Sequence, residues 1–312
     1  MKKNTQILFC AFFIVLVLLL LNISPMGLGP IFSSVSGTAQ PPPQKPVACA
    51  AKKLILAEQT CCHPRFPATE LRSQPLHPFE RSREVDPTAA RSQLVGSLVY
   101  LTVTRPDISY AVHIVSQFMA APRSLHYAAV LRILRYLKGT LFHGLHFSSQ
   151  SSLTLQAYSD ADWAGDPTDR RSTTGYCFLL GDSLISWRSK KQSVVARSST
   201  EAEYRALADT TAELLWLRWL LQDLGIDCST AVPIHCDNRS AIQIAHNDVF
   251  HERTKHIEID CHFVRHHLLQ GTLQLRSVSS QDQLADIFTK PMPPGRFRDL
   301  ISKLKLVSVH PT

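Results

Sequence analysis

An α/β fold is predicted for the second half of the chain, as a mixed five-stranded sheet with flanking helices. Three observations predict it. Near Leu153 the hydrophobic period changes from helical spacing to alternation. From there, three strands, a helix, a strand, two helices, a strand and a helix follow in order. The apolar fraction, 45% of 312 residues, is enough for a sizeable core.

Four regions precede or form this fold. Residues 1–24 open with Lys2 and Lys3 and continue with an uncharged, almost wholly apolar run from Ile7 to Ile23. A basic start and a long apolar run read as a signal or anchor segment. At about 1.5 Å per residue the run just reaches across a bilayer's hydrocarbon core. A membrane contacted through residues 7–23 is therefore an expected partner, and Gly37-Thr38-Ala39 is a small-residue cleavage site. Residues 25–87 are rich in Pro, Ser and Gln and read as a disordered linker. Residues 88–147 read as helical: Ala90 to Val103, Ile108 to Met119 and Leu125 to Leu137 carry apolar residues at helical spacing. Arg105-Pro106-Asp107 breaks the first helix and Lys138-Gly139 ends the third.

Residues 153–305 form the mixed-sheet domain. Leu153 to Ser159 is the first strand. Gly175 to Leu180 and Leu184 to Arg188 are the next two, joined at Gly181-Asp182. Ser199 or Thr200 caps a long helix running to Leu224 and closed by Gly225. Val232 to Cys236 is a strand leading into a helix near Asn238. His256 to Gln270 is helical, Leu273 to Val278 is the last strand, and the last helix runs from Gln283. Trp216, Trp219 and their neighbouring leucines are expected in the core. The eight cysteines make no CxxC pair, and buried reduced thiols are the expectation for those in the second half.

The net charge of +8 suits a polyanionic partner or an anionic membrane surface. Four carboxylates sit where chemistry is expected. Asp160 and Asp237 lie at strand ends, where ligands gather in open α/β sheets. Glu203 and Asp286 lie in the first turns of helices, where the helix dipole alone can also explain an acid. Brought together, the four repel unless a cation neutralises them. Mg²⁺ prefers oxygen ligands, with Mn²⁺ as an alternative. Two such ions about 4 Å apart can clamp an in-line phosphoryl displacement, one activating water and one stabilising the leaving oxygen.

Six segments carry a family resemblance. They are Tyr158-Ser-Asp-Ala-Asp-Trp-Ala-Gly165, Ser186-Trp-Arg-Ser-Lys-Lys-Gln192, Arg197-Ser-Ser-Thr-Glu-Ala-Glu-Tyr-Arg-Ala206, His235-Cys-Asp-Asn-Arg-Ser-Ala241, Arg253-Thr-Lys-His-Ile-Glu-Ile-Asp260 and Leu284-Ala-Asp-Ile-Phe-Thr-Lys290. In this order they resemble the ribonuclease H domain of copia-type LTR-retrotransposon Pol polyproteins. The resemblance implies a ribonuclease H-like fold and hydrolysis of the RNA strand of an RNA–DNA hybrid, leaving 3′-hydroxyl and 5′-phosphate ends. It implies that Asp160, Glu203, Asp237 and Asp286 are the catalytic, metal-binding set, with Glu201 ranked second and Asp162 a neighbour. Arg188, Lys190, Lys191, Arg197, Ser199, Thr200 and Asn238 are the implied nucleic-acid contacts; a protected strand edge and helix capping are the competing explanations. No small-molecule substrate is expected. Cellular ribonucleases H carry a His-bearing loop before the last Asp, whereas Ser277 to Gln283 has no His, so no catalytic His is assigned.

Arg91-Ser-Gln-Leu-Val-Gly-Ser-Leu-Val-Tyr-Leu-Thr102, Thr104-Arg-Pro-Asp-Ile-Ser-Tyr-Ala-Val112 and Leu134-Arg-Tyr-Leu-Lys-Gly-Thr140 resemble the segment after the reverse-transcriptase palm in the same polyproteins. Residues 88–147 are thus expected to be a reverse-transcriptase remnant. There is no Tyr-x-Asp-Asp, so polymerase activity is not expected. The leader points to a membrane or the secretory route, the family to a cytoplasmic particle or the nucleus. Competing readings are a catalytically idle nucleic-acid-binding remnant and a membrane-anchored protein carrying the domain as a passenger.

Overall fold

The computed structural model describes residues 87–247 and 256–308. The expected leader and, apart from Pro87, the expected linker lie outside the described residues, as do Arg253, Thr254 and Lys255. Among the described residues no helix is long and apolar enough to cross a membrane.

Three helices come first: α1 (Pro87–Leu101), α2 (Ser109–Ser116) and α3 (Ser124–Gly139). They bury Val95, Leu98, Val112, Val115, Val130, Ile133 and Leu137 against one another. Pro106 begins a single 3₁₀ turn, Pro106–Ile108, where its missing N–H costs nothing. The break is locked by charge. Arg105 Nη2 lies 2.6 Å from Asp107 Oδ2, both side chains being nearly inaccessible. Tyr136 Oη donates to the same carboxylate at 2.7 Å, and Arg105 donates to the Thr140 carbonyl.

The sheet holds β2 (Leu155–Ala161), β3 (Thr173–Leu180), β4 (Ser183–Lys191), β5 (Val232–Cys236) and β6 (Leu273–Ser277), in the order β4-β3-β2-β5-β6. β4, β3 and β2 pair antiparallel; β2, β5 and β6 pair parallel. This is the mixed five-stranded, ribonuclease H-like arrangement expected from the sequence. β3 is buried along its whole length, so both faces are covered. Tyr176, Phe178 and Leu180 face α4 (Ser199–Asp223), meeting Tyr204, Leu207, Leu214 and Leu217. Cys177 and Leu179 face the other way, onto Phe288, Leu300 and Leu304. α5 (Arg239–His246) and α6 (Glu258–Leu269) complete the α4 side. Cys177, Cys228, Cys236 and Cys261 are free and buried, as expected.

Four local expectations are corrected. The N-cap of α4 is Ser198, whose Oγ accepts from Glu201 N at 3.1 Å; its extended backbone, not its residue type, selects it over Ser199 and Thr200. The expected last helix is divided into a 3₁₀ turn, Leu284–Phe288, and α7 (Pro294–Lys303). Pro291, Pro293 and Pro294 account for the interruption. Trp219 is 62% exposed, because its position on α4 turns away from the sheet. A further ribbon, β1 (His143–Leu145) with β7 (Leu306–Ser308), pairs antiparallel beside the main sheet; three-residue strands carry too little alternation to be read in sequence.

The helical block is joined to the sheet. Trp187 Nε1 on β4 donates to the Thr102 carbonyl at 2.9 Å, and Lys191 Nζ donates to Gln117 Oε1 at 2.9 Å. The Tyr136 and Phe297 rings meet edge to face at 5.8 Å.

Candidate metal centre and nucleic-acid face

Parallel pairing brings the first two carboxylates together. Ala157 and Tyr158 of β2 are in register with Ile234 and His235 of β5. Asp160 and Asp237 each lie three residues beyond a registered partner, so they emerge side by side at the carboxyl ends of the two strands. Glu203 sits in the second turn of α4, on the face that packs against β2. Asp160, Glu203 and Asp237 each offer an oxygen, and these oxygens lie within 4.8 Å of one another. Asp160 is 1% exposed and Glu203 6%, while Asp237 is half-buried.

Such an arrangement is electrostatically unfavourable by itself. Burial pushes the Asp160 carboxyl up to about 6, with Asp286 and Asp237 adding to the rise and Lys290 and Thr289 opposing it. Burial, then Asp160 and Asp237, hold Glu203 well above the usual carboxylate range. Two buried carboxylates that resist ionising, with the Asp237 carboxylate beside them, suit a hard divalent cation.

Asp286 is beside this group but not within it. Lys290 Nζ stands between, 2.9 Å from Asp286 Oδ1 and 3.5 Å from Asp160 Oδ1. Arg296 Nη2 takes the other Asp286 oxygen at 3.4 Å. Burial works against the Lys290 ammonium, but Asp160 and Asp286 outweigh it and keep its pKa above the usual lysine value. Thr289 Oγ1 donates to Asp160 Oδ2, and Ser280 Oγ donates to Asp237 Oδ2 at 2.7 Å. Buried Gln283 ties the turn to β2 by donating to the Ser159 carbonyl at 2.9 Å.

A single glycine permits this closeness. Gly175 pairs with Asp160 across β2 and β3. A Cβ there would lie 2.5 Å from Thr289 Cγ2 and 2.9 Å from Phe288 Cβ. No larger residue would let the Leu284–Phe288 turn settle over the sheet at this point.

Lys290, Thr289, Ser280, Gln283 and Arg296 were not singled out from the sequence. Only Lys290 carried a readable signal, as a base four residues after Asp286 in a helical segment. The expected bystanders behave as such. Glu201 is buried but directed elsewhere, accepting from Arg197 N at 2.8 Å and pairing with Arg205 and His256, each at 2.9 Å. Asp162 accepts from Thr173 N across the following loop.

The implied nucleic-acid residues divide. Arg188 is half-buried among Tyr176, Asp209 and Glu213. Lys191 is paired with Asp166 at 2.5 Å and Asp169 at 2.9 Å. Asn238 caps α5, its Oδ1 accepting from Ala241 N at 3.0 Å. Lys190, Arg197 and Ser199 are exposed, and Thr200 is half-buried.

No family model matches the chain. The Pol polyprotein of transposon RE1 from Arabidopsis thaliana is 50% identical over 234 residues, 75% of this chain. That of transposon TNT 1-94 from Nicotiana tabacum is 44% identical over 207 residues, 66% of the chain. The chain belongs to the copia-type retrotransposon Pol polyproteins. It spans 16% of the length of the RE1 Pol polyprotein and 15% of the TNT 1-94 one. Among solved structures, LC11-RNase H1 isolated from compost covers 44% of this Pol chain with 93% of its own length, at 15% identity and a TM-score of 0.35. The same enzyme in complex with RNA/DNA hybrid gives 13% identity and a TM-score of 0.34. The fold rests on the strand order and registers above.

Proposed function

We propose that residues 153–305 of this Pol chain are a ribonuclease H domain that hydrolyses the RNA strand of RNA–DNA hybrids, with residues 88–147 a helical reverse-transcriptase remnant docked on it. One observation carries the reading: oxygens of Asp160, Glu203 and Asp237 converge within 4.8 Å, where α4 crosses the carboxyl ends of the parallel strands β2 and β5. These three are the proposed cation ligands, with Asp286 as a fourth carboxylate alongside. Divalent cations held there, Mg²⁺ or Mn²⁺, would supply an activated water and neutralise charge on the phosphate.

The chain's own residues do the rest. Thr289 and Ser280 fix the Asp160 and Asp237 carboxylates by hydrogen bonds. Burial of Asp160 and Glu203 keeps bulk water from their inner sides and strengthens every charge interaction at the site. Lys190, Arg197 and Ser199 are the exposed groups proposed to hold the nucleic-acid backbone. Ser277 to Gln283 supplies no His, so proton transfer to the leaving 3′-oxygen falls to solvent.

A second reading draws on Lys290 and Arg296, which neutralise Asp286 and partly Asp160 from within. It is a domain that binds hybrids without cutting them. An end-labelled hybrid incubated with the full chain separates the two. Cleavage of the RNA strand in Mg²⁺, lost in EDTA and in Asp160→Asn, is the expected result. Binding without cleavage would sink the hydrolase and leave the binding module.

A further inference from the structure

An exposed tryptophan stands at the rim of the carboxylate group. β2 ends at Ala161, one residue after Asp160. The loop that follows is pinned on both sides of Trp163. Asp162 Oδ1 accepts from Thr173 N, and Ala164 N donates to Ser172 Oγ at 3.2 Å. Ala164 adopts a left-handed backbone, φ 52°, which turns the chain sharply and directs Trp163 outward. Trp163 is 55% exposed.

The ring is nevertheless held in place. Its Nε1 donates to the Ala196 carbonyl at 3.2 Å. Ala196 is buried with Ala161, Ala202 and Ala206, so the loop before α4 is packed onto the end of β2. With its one polar atom satisfied internally, the indole offers an apolar face and little else. Val194 and Val195, 43% and 50% exposed, lie on the same loop, and Arg197 is exposed beside them. Trp163 follows Asp160 by three positions, a span of about 10 Å at most.

An aromatic face beside an acidic centre calls for a ligand that is apolar in one part and anionic in another. A nucleic-acid strand is both. The carboxylates repel its phosphates, so the adjoining cation has to be external to them, and Arg197 supplies it. In an A-form-like hybrid the bases stay stacked, but the wide, shallow minor groove presents sugar edges that a bulky ring can cover.

We propose that Trp163, framed by Val194 and Val195, is a platform for the sugar edges of an RNA–DNA hybrid next to the cleaved position, with Arg197 taking the adjoining phosphate. This rests on the hybrid as substrate, as proposed above. Trp163 is a positioning residue: it sets where the strand lies relative to Asp160 and takes no part in bond breaking.

The test reads binding apart from cleavage. The full chain is titrated into a fluorescein-labelled RNA–DNA hybrid in EDTA, and anisotropy gives the affinity. Trp219 is the internal control, since it is also exposed but lies 16 residues beyond Glu203 on α4, about 24 Å along the helix. Trp163→Ala is expected to weaken binding about five- to thirtyfold, the loss that removing the apolar contact of a partly covered aromatic face predicts. Trp163→Phe should keep most of the affinity and Trp219→Ala all of it. An affinity of Trp163→Ala within twofold of wild type overturns the platform, as does an equal loss in Trp219→Ala, which would indicate a general structural effect. Should Trp163→Ala fail to fold, the difference in emission between wild type and Trp163→Phe decides. Quenching of that difference on adding hybrid supports the platform, and its absence overturns it. Wild-type binding without cleavage in Mg²⁺ overturns the hydrolase alone, because the variant series still decides the platform. Unaltered affinity in Trp163→Ala with cleavage intact overturns the platform alone.

Discussion

Asp160→Asn should make the metal-free protein more stable at neutral pH, although it removes a proposed metal ligand. Asp160 is essentially inaccessible, and its pKa rises from 3.8 to about 6 on folding, first through burial and then through Asp286 and Asp237. A raised carboxylate pKa means that the folded state binds the proton more tightly than the unfolded state. Its contribution to stability is fully present below about pH 4 and is lost as the pH rises through 6. At about 1.36 kcal/mol per pH unit, the ionised group costs the metal-free fold on the order of 3 kcal/mol at pH 7. Asn keeps an oxygen for the Thr289 hydroxyl and carries no charge to bury. For a domain of roughly 150–250 residues, at about 2–4 °C per kcal/mol, the gain amounts to roughly 6–12 °C in Tm. The order should reverse with Mg²⁺. Wild type gains about 4.1 kcal/mol at a thousand times its Kd, more than the roughly 3 kcal/mol by which it trails, and the variant gains far less. Thermal melts of both proteins at pH 5 and pH 7, in EDTA and in Mg²⁺, read all of this. An Asn variant melting below wild type at pH 7 in EDTA would refute the reasoning. So would a wild-type Tm as insensitive to pH between 5 and 7 as that of the variant.

Three further outcomes follow from the same geometry. Glu203→Gln should lower hybrid cleavage at least about a hundredfold with hybrid affinity unchanged, because a ligand matters no less than the groups that orient it; single-turnover assays check this. Lys290→Met removes the ammonium that competes for Asp160 and Asp286. Two partly exposed ion pairs at about 0.2–1 kcal/mol each predict Mg²⁺ half-saturation at a concentration lower by about twofold to thirtyfold, measured by calorimetry. Glu201→Ala strands Arg205, His256 and the Arg197 N–H, and should cost about 1–3 kcal/mol in urea unfolding while leaving cleavage per folded molecule intact.

How far this site can be read along the chain depends on the range of each signal. Alternation and helical spacing are local, so the order of strands and helices, the strand-end positions of Asp160 and Asp237 and the helical position of Glu203 were all legible. The turn at Gly181, with φ +60°, and the helix stop at Gly225, with φ +76°, were legible for the same reason. Equivalent neighbours were not. Arg197 to Thr200 offers three hydroxyls in a row, and only backbone geometry makes Ser198 the cap. Both Trp216 and Trp219 look like core residues in a leucine-rich helix, yet the helix turns Trp219 outward.

By itself, then, the amino-acid order determined the mixed sheet, the membership of its layers and which acids could meet at one edge. Tertiary structure decided which of them did. Asp160, Glu203 and Asp237 converge because the parallel register of β2 and β5 sets the two aspartates level and α4 lies across them. Asp286 stays beside them with Lys290 and Arg296 on its oxygens, held there by Gln283 and by the space over Gly175. The contacts that hold the turn to the sheet join residues more than a hundred positions apart, such as Gln283 with Ser159 and Thr289 with Asp160. No local pattern encodes such pairs, because they form only when the whole sheet has brought its two sides together.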